Sequence, residues 1–424
     1  MTKKTNFFTL LTKFLVIILP FYVFIKVFFE VKLQIPFFWL AIKEVIILLL
    51  LISLFYYKIK EKIKFSFDIL DYLIFAYFAY WIGISLYNWL WFNSLFFGGR
   101  YDFLFLLVFL IYKHSKWILK INLDKLIKLF LYSAFTSLFL GLLIKFVLKE
   151  EFLLNFWYVN YVSNRHYSWG IPIYHWLDSS WLRRFQWILE SPNSMAFFLI
   201  CLLGAFLHYN RKKIEYYIVL ISIFIISLII ITYSRSALLG IISGFFILGI
   251  LNLKNIFKRY KKETIITLIF IIFTSFSVLF LFQDKIHNIF LRDGSTKGHF
   301  ERMEIGINRF KNHIFWEGLW TSGPAYRKIY TNEEIGKQAE AYFIPESWFI
   351  QQLIEWWIIY FTLFITIIFL ILIKTYKKSP YLFLSFLAIL IMNIFLHSFE
   401  STYNSIILFL FLGILLSSNK KRSF

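Results

Sequence analysis

The chain has 424 residues, of which 60% are hydrophobic and 16% charged, and its mean hydropathy is +0.69. So little polar surface cannot cover a soluble protein of this length. It predicts an all-α polytopic membrane protein, a single integral membrane domain over residues 1–424. The formal charge of +21 does not call for a nucleic-acid partner, because cytoplasmic loops of such a bundle are rich in lysine.

In chain order, the first apolar run lacks a small-residue cleavage site behind it and is read as a retained helix, not a signal peptide. Runs of the roughly 20 residues that a span needs fall at 8–29, 37–57, 68–92, 96–112, 126–148, 192–209, 214–232, 234–252, 264–282, 347–373, 380–397 and 401–418. That frame of about twelve helices, with both termini in the cytoplasm, is fixed by charge. It puts Lys58, Lys60, Lys62 and Lys64 on one side with Lys113, Lys116 and Lys120. Arg211, Lys212 and Lys213, then Lys374, Lys377 and Lys378, then Lys420, Lys421 and Arg422 join them there. The run at 264–282 is its ninth helix and that at 347–373 its tenth.

The opposite, extracytoplasmic side has short turns at 30–36, 232–235 and 397–401 and two long loops, at 149–191 and 283–346. Long loops in a compact protein are functional or disordered. These two hold Trp, Tyr, Pro and Gly without low-complexity bias, which favours folded and functional. The larger one lies between the ninth and tenth helices. There is no internal repeat, and the lone Cys201 in an apolar run gives neither a disulfide framework nor a thiolate metal site.

Ionisable groups at or inside a span mark a functional hypothesis. Four arginines sit so on the extracytoplasmic side: Arg100, Arg184, Arg235 and Arg302. Arg235, in a tight turn between two apolar helices, opposes the charge rule most plainly. A guanidinium fork matches phosphate oxygens bidentately and keeps its charge. Ser191-Pro192-Asn193 and Ser234-Arg235-Ser236 read as helix starts, whose free N–H groups favour anions. The rival roles are snorkelling to headgroups and pairing with Asp102, Glu190 or Glu301. For acid–base work the candidates are His299, Glu346, Glu355, Glu190 and Glu400. Glu346 follows Pro345 at the start of an apolar helix and also serves simply as an N-terminal helix charge. No His/Asp/Glu cluster has metal-ligand spacing, no phosphate-binding glycine loop is present, and no cofactor is expected.

At these residues the sequence resembles the O-antigen ligase/polymerase family of bacterial membrane enzymes, which includes Wzy-type and teichuronic-acid polymerases. The likeness lies in Gly99-Arg100-Tyr101-Asp102, Arg184-Phe185 before Ser191-Pro192-Asn193, and Thr232-Tyr233-Ser234-Arg235-Ser236-Ala237. It continues in Asp293-Gly294-Ser295-Thr296 with His299, and in Glu346-Ser347-Trp348-Phe349 with Glu355. The resemblance implies transfer of a glycan from an undecaprenyl-pyrophosphate carrier to an acceptor hydroxyl, at the outer face of the bacterial inner membrane, among membrane lipids and without a metal. It implies that Arg184 and Arg235, near Asn193, hold the pyrophosphate, with Arg100 and Arg302 assisting. Ligases of the family usually carry a histidine just before this helix, where this chain reads Pro345-Glu346-Ser347. Either Glu346 or His299 takes that role, or the chain is not a ligase of the lipopolysaccharide type, and the departure tilts the reading towards a polymerase or another acceptor.

The rival class is a transporter or flippase of lipid-linked sugars. Transporters carry midplane polar groups and repeated halves, whereas here the polar residues gather at one rim. Tyr158, Trp157, Trp169, Trp176, Trp181, Trp316 and Trp320 are candidates for stacking on sugar rings, or for an interfacial aromatic belt.

Overall fold

The structure, a computed structural model, describes residues 6–29, 33, 42–87, 98–156, 158–159, 171–177, 180–212, 215–252, 293–312, 322–323, 344–356 and 358–417. Among them the helices are α1 Phe7–Val27, α2 Ile42–Lys60, α3 Ile69–Tyr87, α4 Leu104–Lys113 and α5 Leu123–Leu148. A two-stranded antiparallel ribbon follows, β1 His175–Leu177 with β2 Ser180–Arg184. The rest are α6 Pro192–Tyr209, α7 Tyr216–Ile231, α8 Arg235–Asn252, α9 Asp293–Asn312, α10 Trp348–Glu355, α11 Ile358–Lys378, α12 Pro380–Phe395 and α13 Thr402–Leu416.

Five of these helices, α1, α5, α6, α8 and α11, are long and apolar enough to cross a membrane, as a multi-pass membrane protein requires. α3, α4, α7, α12 and α13 are shorter apolar helices. Helix is the form such sequence takes in lipid because it satisfies every backbone N–H and C=O within the segment. The expected ninth helix at 264–282 lies outside the described residues.

The core forms around α13, nearly all of which is buried, packed along α4 and against α6. The α4–α13 crossing is close because Gly413 has no side chain: a Cβ there would fall 2.6 Å from the Phe109 carbonyl oxygen. Small residues at such crossings let backbones approach where no hydrophobic force separates helix from lipid. α5, α7, α8 and α11 each turn a face of large apolar side chains outward, among them Tyr132, Val219, Phe246 and Phe369.

The two ends of the bundle differ. At one, Lys113 reaches Asp71 at 2.7 Å and Asp68 at 2.6 Å, Lys374 reaches Asp68 at 2.9 Å, and Lys378 donates to the Leu415 carbonyl at 2.8 Å. The ends of α4, α11 and α13 thus share a lysine-rich rim. Arg184, Arg235, His299, Arg302 and Glu346 lie at the opposite rim.

Two expectations are corrected. The expected helix at 347–373 is broken: α10 ends at Glu355, Trp356 is extended (φ −121°, ψ 146°), and α11 begins at Ile358. The break lets Trp356 leave the helical line and stack on Tyr77 at 5.2 Å, with Phe103 on its edge at 6.1 Å. The Gly294-Ser295-Thr296 stretch, expected to lie in the long loop at 283–346, is the first turn of α9. Local propensity at Gly294 is overruled by the packing of α9 on α10.

Candidate active site

The site starts at the Thr232–Ser234 turn between α7 and α8. Thr232 closes α7 by donating Oγ1 to the Ile229 carbonyl at 2.6 Å and takes the Ser234 N–H at 3.2 Å. Tyr233 turns the chain in the left-handed region, φ 51°. Arg235 is then the first residue of α8, so its guanidinium leaves from a helix start as expected.

Arg184 is brought to the same turn by the ribbon. The Phe185 N–H donates to the Ile231 carbonyl at 3.1 Å, tying the end of β2 to the end of α7. Arg184 Nε donates to the Thr232 carbonyl at 3.0 Å, and Nη2 to Asn193 Oδ1 at 3.1 Å and the Tyr233 carbonyl at 3.4 Å. Asn193 stands in the first turn of α6, where Ser191 caps the helix by accepting from the Ser194 N–H at 3.1 Å. Helix starts at α6 and α8 and two arginines therefore meet at one turn.

Helix α9 carries the site onward. Arg235 Nη1 donates to Thr296 Oγ1 at 2.6 Å. One turn later His299 Nδ1 lies 3.2 Å from Glu346 Oε2, and Arg302 Nη1 takes the other oxygen, Oε1. Thr296, His299 and Arg302 follow at three-residue spacing on neighbouring positions of one helix face. Glu346 itself is held at φ 51°, a strained conformation for a non-glycine residue. Burial by itself would raise the Glu346 carboxyl. The His299 hydrogen bond, seconded by the charges of His299 and Arg302, outweighs it and holds the carboxyl below the usual range.

Beneath this layer lies a buried polar socket. Asp102 and Glu355 are each 1% exposed. Asp102 Oδ1 accepts from Gln352 Nε2 at 3.0 Å and Glu355 Oε1 from Ser322 Oγ at 3.2 Å. Gly323 is at φ 83°, and its bare Cα leaves room for the Gln351 amide, which a Cβ would meet at 2.3 Å. The Ser322–Gly323 segment is thus anchored on α10, the helix that follows Glu346.

The structure brings together Arg184, Asn193, Arg235, His299, Arg302 and Glu346. Arg100 takes a different partner, Glu44, at 2.8 Å. Glu190 accepts from Ser194 Oγ at 3.1 Å. Tyr158 is buried and donates to the Ile188 carbonyl at 2.7 Å, so its hydroxyl is engaged in the fold. Trp157, Trp169, Trp316 and Trp320 lie outside the described residues. Sequence reasoning passed over Thr296 as a site residue, and Lys43 and Glu44 altogether. The last two, charged residues inside an apolar run, carried the signal that singled out the arginines. Among the described residues no group of three or more His, Cys, Asp or Glu has the geometry to hold a metal ion.

Residues 218–365 match the family model described as O-antigen ligase. The matched stretch takes in Arg235, His299, Arg302 and Glu346, while Arg100, Arg184 and Asn193 precede it. The match supports the resemblance to the O-antigen ligase/polymerase family. No curated protein and no solved structure matches the chain.

Proposed function

From the O-antigen ligase domain and the arginine–carboxylate cluster within it, we propose that this protein transfers a glycan from a lipid pyrophosphate to an acceptor hydroxyl at the outer face of the bacterial inner membrane. One observation carries the reading: Arg184 and Arg235 converge on a single turn at two helix starts, directly beside a histidine paired to a carboxylate.

In this reading Arg184, Arg235 and Asn193 face the donor pyrophosphate. Lipid pyrophosphate is already a good leaving group, so the guanidinium forks have only to stabilise the charge that develops on its bridging oxygen. The acceptor oxygen attacks the anomeric carbon from the opposite side. The new C–O bond forms as the bond to the pyrophosphate breaks, the electron pair leaves on the pyrophosphate, and the configuration inverts. The hydroxyl proton passes to His299. Glu346 orients His299 through Nδ1, which leaves Nε2 for the acceptor, the division of labour seen in other carboxylate–histidine pairs. Arg302 fixes the other Glu346 oxygen. No cofactor enters the step.

The test is glycan complementation in a strain lacking its own enzyme, comparing wild type with Arg235→Ala at equal membrane abundance. Long-chain surface glycan from wild type, and single lipid-linked repeats from the variant, support polymerisation through this site. A fully active Arg235→Ala protein would refute the pyrophosphate assignment.

A further inference from the structure

A second ionic cluster lies at the same rim. Lys43 and Glu44 stand in the first turn of α2, and Arg100 stands just ahead of α4. Lys43 is 1% exposed and Arg100 6%. Glu44 Oε1 lies 3.0 Å from Lys43 Nζ and 2.8 Å from Arg100 Nε. Lys43 also donates to the Tyr22 hydroxyl at 2.9 Å, with its ammonium 4.4 Å over that ring. Tyr22 stacks on Tyr403 at the start of α13. Two cationic side chains therefore share one carboxylate in a buried place.

The guanidinium is not fully used. Among the described residues Arg100 Nη1 is buried without a hydrogen-bond partner, and Nε touches Glu44 without hydrogen-bond alignment. Glu190, also within electrostatic reach of Arg100, already accepts from Ser194. Buried cationic groups lacking matched anionic oxygens are costly. An anion with several oxygens on one centre would serve both the fork and the ammonium. Arg184, Arg235 and Arg302 take their partners elsewhere, from Asn193, Thr296 and Glu346.

Resting on the glycan-transfer reading above, we propose that Lys43 and Arg100 form a second phosphate site, for the lipid-borne pyrophosphate of the acceptor, with Glu44 holding the two cations until that phosphate displaces it. Transfer between two lipid-linked chains needs one phosphate site for each carrier. The cluster at Arg184 and Arg235 serves the donor, and this one serves the acceptor. An acceptor carried on lipid pyrophosphate makes the reaction a polymerisation.

The experiment is calorimetric titration of the full-length protein in lipid nanodiscs with a short-chain, water-soluble isoprenyl pyrophosphate. Wild type is expected to bind two equivalents. Arg235→Ala and the Lys43→Met/Arg100→Gln double variant are each expected to bind one. Glu44→Gln, which removes the competing carboxylate, is expected to tighten one of the two sites about tenfold, whereas a purely structural Glu44 would give no gain. A single equivalent in wild type, lost in Arg235→Ala and kept in the double variant, overturns the second site and leaves the transfer reading standing. Two equivalents that persist in Arg235→Ala and fall to one in the double variant keep the second site and refute the donor site. Equal affinity for inorganic pyrophosphate at the Lys43–Arg100 site overturns its assignment to a lipid carrier.

Discussion

His299 Nδ1 lies 3.2 Å from Oε2 of Glu346, a contact that joins α9 to the strained residue just ahead of α10. The pair does two things at once. It presents an imidazole beside the arginine turn, and it clamps α9 onto the bundle.

The clamp depends on pH in a definite direction. The Glu346 carboxyl is held below its usual range in the fold: burial acts against this, and the contacts with His299 and Arg302 prevail. A depressed carboxyl stabilises the fold fully above its unfolded value, about 4.3, and loses that stabilisation as pH falls through the folded value. The distance between spin labels on α9 and α10 should stay constant from neutral pH down to about pH 5 and lengthen below about pH 4. Glu346→Gln should show the longer distance throughout and abolish the pH step.

Arg184→Lys should fail nearly as badly as Arg184→Ala. The fork reaches the Thr232 carbonyl and Asn193 at once, and an ammonium cannot span both. Transfer measured in membranes should drop by about a hundredfold in either variant, the usual scale for losing a charge-stabilising donor. Retention of most activity by Arg184→Lys would mean that positive charge alone is needed there.

Gly413→Ala should destabilise the α4–α13 crossing. Its new methyl would meet the Phe109 carbonyl at 2.6 Å and the Tyr112 side chain at 2.9 Å. Overpacking of this kind costs about 1–3 kcal/mol, so the detergent-solubilised protein should melt several degrees lower. An unchanged melting temperature would show that the two helices separate freely.

Lys62→Gly should raise stability. α2 ends with the Lys62 N–H on the Ile59 carbonyl at 3.2 Å and the Ile63 N–H on the Lys58 carbonyl at 2.9 Å, with Lys62 at φ 51°. This is the double hydrogen-bonded helix end that glycine favours at the left-handed position. The gain should be about 1 kcal/mol, the order of the penalty a Cβ incurs in the left-handed region, read as a higher melting temperature, while Lys62→Val should lower it.

Most of the helices are legible in the amino-acid sequence. In lipid an apolar run has to satisfy its own backbone polar groups, so the runs at 192–209, 214–232 and 234–252 became α6, α7 and α8 almost residue for residue. It also marked the arginines, because a charge beside an apolar span stands out whatever it touches. Ser191 and the Ser234–Arg235 step declared their helix starts through local chemistry. The remaining contacts depend on how the elements pack. Arg184 meets the Thr232 carbonyl across 48 residues of chain, and Arg235 meets Thr296 across 61. No local pattern encodes such pairings, which arise only when the ribbon and α9 pack against the bundle. The break at Trp356 was decided there too, since the stack on Tyr77 gives that indole a buried place that a continuous helix would deny it. So was the separation of Arg100 from the other arginines, because Arg100 and Glu44 lie far apart in sequence and meet only when α2 packs beside α4.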